Sequence, residues 1–184
     1  MHLLIYFYLI HFLADYPLQP NALITMKKKG YFGVLLHCLV HLAVLIAVLS
    51  PFLHLKSVWI GIAIVFITHN IIDQTKIAID KKYPKKSLLF YVSDQLLHLT
   101  ILTLIAFNIG YIKPNISFEK LGLYADHNFV TYILALILVT YFYDVTRYFI
   151  QTRKKKMVYK RNYSTMIWNA FIVSIGFAMY WVAF

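Results

Sequence analysis

Long apolar runs separated by short polar stretches set the pattern of this chain. A hydrocarbon layer of about 30 Å needs about 20 helical residues. Runs near 2–16, 32–53, 58–79, 88–110, 129–151 and 164–184 reach or approach that length, the first being short. Pro17 and Pro20 close the first run, Pro51 closes the second, and Pro84 and Pro114 fall between runs, as expected of a residue that cannot continue a helix. The pattern predicts an all-α fold: a polytopic membrane helix bundle with about six transmembrane helices, residues 1–184 forming one integral membrane domain.

Polar residues break the runs at regular places. HFLAD holds His11 and Asp15, HCLVH holds His37 and His41, HNIID holds His69 and Asp73, and DQLLH holds Asp94 and His98. Each pair is spaced i, i+4, so its members share one helix face about 6 Å apart along the axis. His11 and His69 are 58 positions apart and His37 and Asp94 are 57 apart. That offset predicts two parallel-repeat hairpins, about 1–53 and 58–110, followed by a C-terminal hairpin at about 129–184. Repeats of the same orientation are related by an axis along the membrane normal, which would gather their polar faces at the bundle centre.

Composition agrees with a membrane protein. Of 184 residues, 61% are hydrophobic and 14% charged, and the mean hydropathy is +0.67; a soluble domain of this size is not so apolar. The N-terminal run lacks a basic flank and an A-x-A site, and reads as a retained helix and not a signal peptide. The net charge of +11 could point to nucleic acid, but the basic residues are placed by topology. The loops after the first, third and fifth runs hold Lys27–Lys29, then Lys81, Lys82, Lys85 and Lys86, then Arg153, Lys154–Lys156, Lys160 and Arg161. These are thirteen basic residues, against Lys56, Lys113 and Lys120 on the other side. The positive-inside bias predicts a multi-pass protein of the cell inner membrane, with these loops cytoplasmic and both termini outside. The ionisable residues of five runs then fall in the cytoplasmic third of the membrane.

An Asp at the centre of a spanning helix costs roughly 2.5–3.5 kcal/mol on insertion scales. Neutral imidazole and carboxylate are ligands for divalent metals, and a ligand set around zinc returns roughly 10 kcal/mol or more. The eight residues His11, Asp15, His37, His41, His69, Asp73, Asp94 and His98 are therefore candidate metal ligands, for zinc first and manganese or iron next. Lys76 and Arg147 could hold an anionic group, and Asp94 or Asp144 could take a proton. His2, His54 and His127, which belong to none of the i, i+4 pairs, read as packing residues. Cys38 points about 100° from His37 and reads as core.

HFLADYPLQ, HCLVH, HNIIDQTK and DQLLH together resemble the domain-of-unknown-function 3307 family of bacterial inner-membrane proteins, over about the first hundred residues. A looser likeness connects the chain to membrane-bound metal-dependent hydrolases. The expected function is a membrane-embedded metal-dependent hydrolase. It would act from the cytoplasmic side on an inner-leaflet lipid or a phosphate-bearing amphiphile, with the bilayer as its other partner and no role for nucleic acid. The alternative is a divalent-cation or proton-coupled transporter using the same cluster. Outer helix halves with almost no polar residues argue against that alternative, because a transport path would need lining there.

Overall fold

A computed structural model describes residues 2–152 and 159–183. Arg153 and Lys154–Lys156 of the third basic loop lie outside the described residues. The described chain is an all-α helical bundle: α1 (Leu4–Asp15), α2 (Asn21–Lys29), α3 (Tyr31–Val48), α4 (Lys56–Lys82), α5 (Ser87–Ile109), a short α6 (Phe118–Leu121), α7 (His127–Ile137), α8 (Tyr143–Thr152) and α9 (Tyr163–Ala183). Five stretches are long and apolar enough to cross a membrane: Tyr31–Val48, Lys56–Lys82, Pro84–Ile109, His127–Gln151 and Tyr163–Val182. The fourth of these is α7 and α8 joined through a π-helical turn, Leu138–Phe142. Such a turn frees backbone carbonyls, and the Asn169 side-chain amide of α9 donates to the carbonyl of Val139 at 2.7 Å.

The first apolar run forms only 12 residues of helix, about 18 Å long. Its shortness is explained by its place. α1 is the central helix, packed against α3, α5 and α7, and Leu3, Tyr6, Phe7, Ile10 and Ala14 are fully or almost fully buried. Its N-terminal end meets the segment after α5, where His2 pairs with Tyr111 and the Tyr6 hydroxyl donates to the Tyr124 carbonyl at 2.7 Å. The same segment covers the end of α3, since the Tyr124 hydroxyl donates to the Val48 carbonyl at 2.8 Å. Asp126 then starts α7, its carboxylate accepting from the amides of Asn128 and Phe129, a capping arrangement that satisfies otherwise orphaned donors.

α1 therefore runs from this capped end of the bundle to the opposite one, where α2 turns back along α3. The apolar core occupies the capped half, with Phe7, Leu45, Leu49, Phe52, Ile62, Val65 and Leu102 at its heart. The histidines of the four i, i+4 pairs begin where that core ends. If the bundle lies in lipid, apolar contact is not itself a driving force, and close packing with interhelical hydrogen bonds of about 0.6–2 kcal/mol carries association. Tyr8 to Thr103, Tyr16 to Tyr91 and Tyr91 to Thr146 are such bonds, at 2.7, 2.9 and 2.9 Å.

Candidate metal centre

The four i, i+4 pairs converge from α1, α3, α4 and α5 on one buried space. Asp15, His37, His41 and His69 each offer a ligand atom within 4.8 Å of the others, and so do His69, Asp73 and His98. His37, His41, His69 and His98 are almost wholly buried. In the first set, Nε2 of His37 and Nε2 of His41 stand 3.0 and 2.9 Å from Asp15 Oδ1, and His37 Nε2 is 3.1 Å from His69 Nε2. Donors 2.0–2.1 Å from a tetrahedral ion stand roughly 3.3 Å apart, so these separations fit a shared cation.

A second observation concerns the other set. His98 Nδ1 lies 2.9 Å from the Asp94 carbonyl; that oxygen can only accept, so Nδ1 carries the proton and Nε2 keeps its lone pair. This Nε2 is buried and has no hydrogen-bond partner. With His69 and Asp73 it makes up the second set, in which that lone pair is able to coordinate a metal ion. Gln19 lies against the His37 ring, 2.9 Å from Nδ1. An amide can meet that nitrogen as donor or acceptor, so it serves either tautomer.

Six of the eight predicted ligands thus enter the two sets, and His11 and Asp94 do not. His11 Nε2 faces Gln95 Oε1 at 3.3 Å, so this nitrogen points its proton at an acceptor and its ring stacks on His98, centroids 5.0 Å apart. Gln95 donates in turn to Asp15 Oδ2 and Asp94 Oδ2, at 3.3 and 3.2 Å. His11 and Gln95 orient Asp15 from behind. Asp94 keeps its Oδ1 buried without a hydrogen bond and has Lys76 Nζ 3.9 Å from its Oδ2. Asp144 is buried elsewhere, accepting from the Tyr159 hydroxyl at 2.8 Å and the Asn162 amide at 3.3 Å. Arg147 is on the same helix, α8, and neither residue enters a ligand set.

Three residues that spacing did not single out belong to the centre: Gln19, Gln95 and Lys27. Lys27 is the least expected. Its Nζ is 2.7 Å from Asp73 Oδ2, and only 14% of its side chain is exposed. Burial, the largest influence, works to lower the pKa of this ammonium, but Asp73, with Asp15 and Asp94 behind it, outweighs burial and raises it. Gly33 makes the approach possible. A Cβ there would stand 2.1 Å from the Met26 backbone, so α2 can lie this tightly on α3 only over a glycine. Gln19 and Gln95 had a faint signal, as they sit inside HFLADYPLQ and DQLLH; Lys27 had none beyond its place in a basic run.

These features define a class: an all-α bundle with helices of membrane-crossing length and a buried His/Asp centre able to hold a metal ion. The chain belongs to the family described as protein of unknown function DUF3307, which matches residues 3–121. The match takes in α1 to α6 and every residue of the cluster, and it leaves out Asp144 and Arg147. No curated protein and no solved structure matches the chain, and the likeness to metal-dependent hydrolases finds no support in these comparisons.

Proposed function

We propose that this protein is a membrane-embedded metal-dependent hydrolase of the inner membrane, acting from the cytoplasmic side on an inner-leaflet lipid or other phosphate-bearing amphiphile. The observation that carries the reading is the buried set Asp15, His37, His41 and His69. Three imidazoles and a carboxylate suit zinc, with manganese or iron as alternatives. Such an ion supplies a Lewis acid and lowers the pKa of water towards neutrality. The rest falls to the chain's own groups. Asp94, with a free carboxylate oxygen next to the cluster, takes the proton from the attacking water. Lys76, partly exposed and 3.9 Å from Asp94, holds the anionic group of the substrate. Asp15 is kept in position by His11 and Gln95.

The apolar outer half of the bundle favours an enzyme over the transporter alternative. Beyond the clustered histidines, towards the capped end, lies a cavity of about 10 Å³ whose lining there includes Phe7, Ile10, Leu45, Val65, Ile101 and Leu102. That is room for about one water and offers no polar path.

The test is made in proteoliposomes of anionic phospholipid. Release of water-soluble headgroup phosphate should require added zinc or manganese, stop with a chelator and be lost in Asp94→Asn. Metal-loaded protein that passes zinc across the vesicle wall and releases nothing would turn the assignment to the transporter.

A further inference from the structure

The two ligand sets differ in one respect: the second already contains a cation. Lys27 Nζ sits 2.7 Å from Asp73 Oδ2, against the one carboxylate of the set His69, Asp73 and His98. Nothing comparable stands in the first set, where Asp15 meets only histidines and an amide. The lysine did not arrive by chance contact, because the Gly33 backbone fits under Met26 and Lys27 with no room for a Cβ. Lys28 and Lys29, its neighbours in the same run, are exposed.

The charges of the space point the same way. Three carboxylates (Asp15, Asp73 and Asp94) face two ammonium groups (Lys27 and Lys76). One divalent ion turns a net charge of minus one into plus one. A second would leave plus three in a buried, weakly screened space, which is costly. His69 also belongs to both sets. A doubly loaded centre would have to divide the residues into Asp15, His37 and His41 around one ion and His69, Asp73 and His98 around the other.

We propose that Lys27 is a tethered stand-in for a second metal ion: it occupies Asp73, keeps the centre mononuclear and leaves His69 to the first set. The role of α2 is to deliver that ammonium. This inference rests on the metal reading above, since without a metal at the first set there is no stoichiometry to limit.

The experiment measures zinc per chain by elemental analysis, on the full chain purified in mild detergent, loaded with excess zinc and desalted. Wild type should hold one equivalent. Lys27→Met, which keeps the length and removes the charge, should hold two. Lys27→Met combined with Asp73→Asn should return to one, which places the added ion at Asp73. Lys27→Gln gives a second neutral variant should the methionine protein fail to fold, and Lys27→Arg, keeping the charge, should stay at one. Two equivalents in wild type, or one in both neutral variants, would overturn the role of Lys27 and leave the metal centre standing. A wild type and variants that all hold less than a tenth of an equivalent would remove the metal centre and this inference together.

Discussion

At the scale of single residues, the i, i+4 spacing placed eight polar side chains on converging faces but said nothing of which donor atoms come together. His41 Nε2 is 2.9 Å from Asp15 Oδ1 and belongs to a set whose atoms all approach one another, whereas His11 Nε2 is turned to the side-chain oxygen of Gln95 and enters neither set. His41→Ala and Asp15→Asn should therefore each abolish stoichiometric zinc binding. Gln95→Leu, which removes an orienting bond to Asp15, should weaken binding by about 10–100-fold, the usual cost of losing a group behind the ligands. Ile71→Val should do nothing, because Ile71 is 59% exposed on the outer face of α4 and the change is small. Competition titration against a chromogenic chelator reads all four. Equal affinities across the set would remove the centre.

At the scale of elements, the long helices were legible and α2 was not. The long runs and prolines located α3, α4, α5, α7 with α8, and α9 to within a few residues of the expected boundaries. The stretch NALITMKKK, by contrast, carries a topology signal, and nothing in its periodicity says that it folds as α2 or that the first of its three lysines is buried. The reason lies in α3, at Gly33, and becomes visible only when the two helices are in contact. The same contact gives a graded test. A Cβ at Gly61 would meet the ends of two flexible side chains, Ile105 and Ile109, at 3.0 and 3.1 Å, whereas at Gly33 it would strike backbone at 2.1 Å. Side chains can yield and backbone cannot. Gly61→Ala should cost about 1 kcal/mol and Gly33→Ala about 3 kcal/mol, with α2 lifted from α3. Thermal unfolding in detergent orders the two variants, and a Gly33→Ala protein as stable as wild type would mean that α2 is not held as described.

At the scale of the whole molecule, the fold and the charge pattern make independent statements that must agree. The fold separates two ends. α2 and the turn at Pro84–Lys86 belong to the end that bears the cluster, and the segment around Tyr111 to Asp126 covers the other. On the positive-inside rule the charge count, with thirteen basic residues in the loops after the first, third and fifth apolar runs and three in the others, predicts that the first end faces the cytoplasm. Ser87 opens α5 and Ser117 lies beyond its far end; a helix of 23 residues separates them by about 34 Å, more than a hydrocarbon layer. Cys38, the only native thiol, is buried and is best replaced by Ser, so that each introduced thiol reports alone. In that background, Ser117→Cys should react with a membrane-impermeant maleimide in intact cells, and Ser87→Cys should react only after the membrane is opened. The result decides more than topology. If Ser87→Cys is the one labelled from outside, the cluster opens away from the cytoplasm, and a hydrolase drawing on inner-leaflet substrate is ruled out even with its metal in place.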